Sequence, residues 1–219
     1  MGRPFGRLHW AGSLLVAIGL VTTGCQEDEG SADPEKGACD TVLGGDVESA
    51  VRRVAGIPDS VRITRYGHPQ DSADELIANI DAGTPDEAKR LDFCRFYRES
   101  VEVTPSVEVS FWVVPEVPAS SSGADALGKS YRMAKGAVAT TKLGVLYFEC
   151  FSKKLSRGEG AKVLVRGASR TNDEVAESDA AAYDDNLRII HASSRVYAEL
   201  LGCEANAGIP ATFSMPPEV

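Results

Sequence analysis

Leu143-Gly144-Val145-Leu146-Tyr147-Phe148-Glu149-Cys150-Phe151 is the stretch that decides the fold. The run is apolar, rich in aromatic residues and short, which reads as a strand. Side chains alternate across a strand, so Leu146, Phe148 and Cys150 share one face, while Val145, Tyr147 and Glu149 share the other. Lys162 to Ala168 is its expected hairpin partner across the polar Ser152–Gly160 turn. Downstream, Tyr183, Leu187, Ile190, Ser194, Tyr197 and Leu201 recur at helical spacing. Ser178 or Asp179 is placed to cap that helix and Gly202 to end it.

Upstream, Val107, Val109, Phe111 and Val113 alternate with Glu108, Ser110, Trp112 and Val114, and Pro115 and Pro118 end that strand. Leu91 to Val103 reads as its neighbour through a turn at Pro105 and Ser106, with Cys94 and Phe96 on one face. Val61 to Tyr66 is a short edge strand. Asp46 caps a helix over Val47 to Ala55, and Ser72 to Ile80 reads as a weaker one. Between Glu116 and Thr141 the pattern is loosest, and Ala124 to Ala139 is expected to form a short helix. The expected class is α+β, a mainly antiparallel sheet of about four strands with helices on one face.

Five cysteines occur: Cys25, Cys39, Cys94, Cys150 and Cys203. The last four allow three pairings. Their similar separations, and strand phases that turn Cys94 and Cys150 toward helices ending near Cys39 and Cys203, favour Cys39–Cys94 and Cys150–Cys203. No metal-ligand spacing competes with this reading.

At the N-terminus, Arg3 and Arg7 precede an apolar run from Trp10 to Val21. About a dozen residues is too short to span a bilayer, which needs roughly 20, and the pattern reads as a signal segment. Val21-Thr22-Thr23-Gly24-Cys25 resembles the lipobox of bacterial lipoproteins. That resemblance implies a lipid on Cys25, removal of residues 1–24 and a place on the outer face of the cytoplasmic membrane. Gln26 to Ala38 is acidic and without large apolar residues, a tether. Its reach is about 45 Å at roughly 3.3–3.6 Å per residue. Residues 39–219 then make one extracytoplasmic domain. Within it, Cys39-Asp40-Thr41-Val42-Leu43 and Tyr147-Phe148-Glu149-Cys150, with a long helix closing on Leu201-Gly202-Cys203, resemble actinobacterial secreted lipoprotein domains of unknown function.

Chemistry is sparse. His68 lies in a loop and His191 inside the last helix, and no nucleophile elbow, phosphate loop, dinucleotide fingerprint or EF-hand accompanies them. Acidic pairs such as Asp86/Glu87, Asp173/Glu174 and Asp184/Asp185 read as solvated helix starts or loops. Neither a catalytic residue, a metal nor a cofactor is assigned. The chain carries −9, which argues against nucleic acid. The stretch Pro115 to Arg170 nonetheless holds 10 basic and 4 acidic residues, which suits an anionic envelope ligand or a protein partner. Two classes follow: a non-enzymatic binding module at the envelope, favoured, and an extracytoplasmic hydrolase of wall polymers. For the first, the sheet face opposite the helices is expected to bear Arg95, Tyr97, Trp112, Tyr147 and Glu149. Those rings are a contact surface if open, and core if a loop or helix covers them.

Overall fold

A computed structural model describes residue 39 and residues 43–83, 89–99, 104–118, 128–156, 159–172 and 180–219. The signal segment, Cys25 and the tether lie outside these, as do residues 84–88 and 173–179.

Among the described residues three α-helices pack on one face of a seven-stranded antiparallel sheet. The helices are α1 (Gly45–Val54), α2 (Pro69–Asp81) and α3 (Ala180–Leu201). The strands are β1 (Ile63–Tyr66), β2 (Leu91–Arg98), β3 (Val107–Val113), β4 (Lys129–Tyr131), β5 (Gly136–Ala139), β6 (Leu143–Ser152) and β7 (Ala161–Thr171). They run in the order β1-β2-β3-β7-β6-β5-β4. The class is as expected, but about four strands becomes seven. The largest departure is Ala124–Ala139. Of this stretch, 124–127 lie outside the described residues, and the rest is not helical but holds β4 and β5. Small side chains at Ala137 and Ala139 let β5 sit beside Leu146 and Gly144 of β6, where tertiary pairing outweighs a helix weakened by Gly128 and Gly136.

Helix α1 starts two residues earlier than expected, with Gly44 rather than Asp46 at the N-cap. It buries Val47, Ala50, Val51 and Val54, the stripe its spacing predicts. Arg53 donates twice to Asp185 of α3, at 2.8 and 2.6 Å. The hydrogen-bonded Asp185 carboxylate raises the Arg53 pKa above its ordinary value. In α3, Tyr197 donates to the Ser72 carbonyl of α2 at 3.0 Å, and burial pushes its phenol well up.

Phe111 occupies the middle of the core. It stacks on Tyr197 at 4.0 Å and meets Phe93 and Phe148 edge-on. Its cross-strand neighbour is Gly167, and a Cβ there would lie 2.5 Å from the Phe111 ring. At Gly144 the backbone of α3 comes closer still, and a Cβ would stand 2.4 Å from the Asn186 carbonyl oxygen. Asn186 in turn donates to the carbonyls of Thr140 and Thr141 at 3.0 and 3.1 Å, fixing the β5–β6 turn to the helix.

Both disulfides form as the strand phase predicts. Cys39–Cys94 joins the approach to α1 with β2, and Cys150–Cys203 joins β6 with the residue after α3. Ser152 donates to the Leu201 carbonyl at 2.6 Å, and the Lys154 ammonium to that of Leu200 at 2.8 Å. The last turn of α3 is thus held on the β6–β7 hairpin. Beyond it the chain turns through left-handed backbone at Ala205, Asn206 and Ala207. It then runs to the outer edge of β4, where Glu218 bridges Tyr131. There the Val219 N–H donates to Ser130 and the Arg132 N–H to Pro217. No helix among the described residues is long and apolar enough to cross a membrane.

Candidate functional site

The face away from the helices carries the five residues expected on it, but not as an open platform. Tyr97 is 8% exposed, Trp112 7% and Tyr147 1%. Cross-strand register sets Trp112, Arg166, Tyr147 and Gly136 in one row over four strands. The Arg166 guanidinium lies 4.9 Å from the Trp112 ring and 5.5 Å from that of Tyr147, and Arg90 covers Trp112 again at 4.9 Å. Val114 and Leu164 pack against the same rings. The rings are therefore core, the second of the two alternatives, although the cover is not the helix expected at Ala124–Ala139.

Part of that cover is the chain leaving β3. Val114 donates to Leu164 of β7. Three residues later Val117 is beside β5, where a Cβ on Gly136 would stand 3.8 Å from its Cγ1. Residues 114–118 therefore cross β7 and β6. A groove of about 420 Å³ lies beside the β4–β5 turn. Its lining mixes apolar residues, Val117, Pro118, Met133, Val138 and Val219 among them, with Ser130, Arg132 and Lys135.

The turn itself is tightly specified. Ala134 has φ +47 and Gly136 φ +153, the Gly136 N–H closes onto Met133 at 2.8 Å, and the Lys135 N–H donates to Tyr147 at 2.9 Å. A glycine at 136 accepts the positive φ that the turn requires. Below the turn, Glu149 is shared by Lys162 at 2.9 Å and Lys135 at 3.3 Å. The hydrogen bond from Lys162, and then that from Lys135, holds its carboxyl below the ordinary range. Two lysines on one carboxylate leave a positive balance. Arg132 is exposed, and its side chain makes no ion pair or hydrogen bond among the described residues.

Tyr147 and Glu149 thus come together at this turn, while Arg95 lines a separate charged groove of about 320 Å³ between α2 and β2. In that groove Lys89 pairs with Glu75 at 2.6 Å, and His68 lies 3.8 Å from Asp71. His191 is buried within α3. Its Nε2 meets the Pro210 carbonyl at 2.9 Å, its ring packs edge-on against Phe213, and burial lowers its pKa. Among the described residues no cluster of three or more His, Cys, Asp or Glu side chains could hold a metal. Sequence reasoning had Arg132 and Lys135 only as members of a basic segment. It missed Val117 and Pro118, because a crossing segment has no periodicity to reveal it. Neither a protein-family model, a curated protein nor a solved structure matches this chain.

Proposed function

We propose that this protein is a lipid-anchored binding module on the outer face of the cytoplasmic membrane. Cys25 carries the lipid, and the groove beside the β4–β5 turn takes a ligand from the envelope. The groove carries the reading. It has the size of a small-molecule site, about 300–1,000 Å³, and both apolar and cationic residues line it. Its backbone is held by a turn in left-handed conformation, a kind of strain that collects at binding sites. Two disulfides suit an oxidising, extracytoplasmic compartment, in keeping with the lipobox-like pentapeptide and the resemblance to actinobacterial lipoproteins. Binding rather than hydrolysis is the better reading, since His191 is buried against the Pro210 carbonyl and, among the described residues, no nucleophile–base pair faces the groove.

Two measurements test it. Mass spectrometry of the mature chain is expected to find an acylated Cys25 at its N-terminus, and Cys25→Ser to leave the precursor uncut there. A photo-crosslinking residue at position 117 in intact cells is expected to capture a ligand that one at exposed Phe151 does not. An unmodified N-terminus elsewhere ends the anchor; equal capture at both positions ends the groove as the binding site.

A further inference from the structure

Residues 209–219 form an arm that the rest of the molecule holds as it would a separate peptide. Two surfaces recognise it. On α3, Arg195 donates to the Ala211 carbonyl, the His191 Nε2 lies 2.9 Å from the Pro210 carbonyl, and the Arg188 guanidinium covers the Phe213 ring at 4.4 Å. On the outer edge of β4, the Arg132 N–H donates to Pro217 at 3.0 Å and the Val219 N–H to Ser130 at 2.9 Å. Lys129 pairs with Glu218 across the same edge at 3.0 Å. Pro210, Pro216 and Pro217 stiffen the arm, so it loses little freedom when it docks.

The link between arm and body is strained. Ala205, Asn206 and Ala207 follow one another in left-handed backbone, with φ of +47, +50 and +55, which costs every residue except glycine. Before them, Cys203 is fixed to β6 by its disulfide. This turn folds the arm back onto its own chain, yet none of residues 204–208 is buried. Opening it therefore loses little packing and releases the strain. Extended, those five residues reach about 16–18 Å, at roughly 3.3–3.6 Å each. An arm that docks on a second copy makes the same contacts as one docked on its own chain. The two arrangements differ in hinge strain, set against the freedom lost on association.

We propose that two copies of this chain exchange arms, each arm occupying the α3 surface and the β4 edge of the other copy. The site names its occupant, because it already holds this peptide and matches Lys129 to Glu218. Reciprocal exchange caps β4 in both copies, so the assembly closes at two. It also makes the groove beside the β4–β5 turn a shared site, since Val219 lines that groove and would come from the second copy. The exchange does not depend on what the groove binds.

The test mixes light and nitrogen-15-labelled full chains at rising concentration, with light scattering to follow mass. A zero-length carbodiimide then couples Lys129 to Glu218, and the digested peptides are weighed. Exchange is expected to give a dimer, together with Lys129–Glu218 peptide pairs that have one light and one heavy half. Ala205→Gly with Ala207→Gly relaxes the closed hinge, because glycine accepts left-handed backbone, and touches none of the arm's contacts. That variant is expected to dimerise about tenfold more weakly or less, the range for two relieved residues. Pairs that are only all-light or all-heavy would show the arm staying on its own chain and overturn the proposal. A dimer formed without hybrid pairs would place the interface elsewhere and do the same. So would a glycine variant that dimerises as strongly as wild type.

Discussion

Replacing Gly144 by alanine probes one of the closest glycine approaches among the described residues, the one between helix and sheet. The added methyl would stand 2.4 Å from the Asn186 carbonyl oxygen, 2.8 Å from its carbon and 2.8 Å from the Ser169 hydroxyl. Ordinary non-bonded separations are about 3.5 Å or more, so roughly 1 Å must be found. Side chains cannot yield it, because two of the three atoms are backbone of α3. Nor can α3 slide away cheaply. It is held to α1 by Arg53–Asp185, to the β5–β6 turn by Asn186, and to β6 by the disulfide that follows it. The expected loss is about 3 kcal/mol, the upper part of the range for overpacking a core. For a domain of this size that lowers Tm by about 6–12 °C, at roughly 2–4 °C per kcal/mol. Gly45→Ala is the matched control. It lies in α1 with nothing within 4 Å of its would-be Cβ, so it should be neutral or stabilise by up to about 1 kcal/mol. Urea denaturation of oxidised protein, followed by circular dichroism, measures both. A Gly144→Ala variant within about 0.5 kcal/mol of wild type would refute the claim that the glycine sets the helix–sheet distance.

Removing Cys150 and Cys203 together, as alanines, frees a loop of 53 residues and should cost about 4 kcal/mol on the chain-entropy account. Denaturant midpoints check the loss, and non-reducing peptide mapping checks both linkages. His191 supplies a pH dependence. Burial lowers its folded pKa below the unfolded value of 6.5, so the unfolded chain takes up the proton first as pH falls. The histidine's contribution is then intact above about pH 6.5 and declines from there down to the folded pKa. His191→Gln should flatten stability between pH 7.5 and 5, and an unchanged slope in that variant would assign the dependence to other groups. The groups facing the ring, Arg188 and Arg195, are cations that add to the effect.

What the sequence revealed depended on how local the signal was. β3 alternates and β6 is one apolar run recognisable as a strand, so the faces of Phe148, Cys150, Phe111 and Trp112 were legible from strand phase, and the disulfides followed. The boundaries of α1 and α2 moved by a few residues because Gly44 and Pro69 start helices without side-chain caps. Strands β4 and β5 were illegible for a physical reason. Lys129-Ser130-Tyr131 and Gly136-Ala137-Val138-Ala139 each hold a single strand-favouring residue, Tyr131 or Val138, among poor ones, and pairing with β6 selects the extended form. The groove lies between those strands and a crossing segment, so it depended on the least local part of the fold. Burial of the Trp112 row was hidden for the same reason. Alternation tells which residues share a face, but not what lies over it.

The chain's last residues, laid along β4, bear on how the protein avoids sticking to itself. An open strand edge is a template for other chains, and here β4's outer groups are engaged by Pro217, Glu218 and Val219. The opposite edge is the four-residue β1, too short to recruit much. Because synthesis runs from the N-terminus, the protecting residues appear after every strand they guard. The interval before they dock is when edge-to-edge aggregation threatens. A shortened chain would remain in that state permanently and should form oligomers through β4 even though its core is complete.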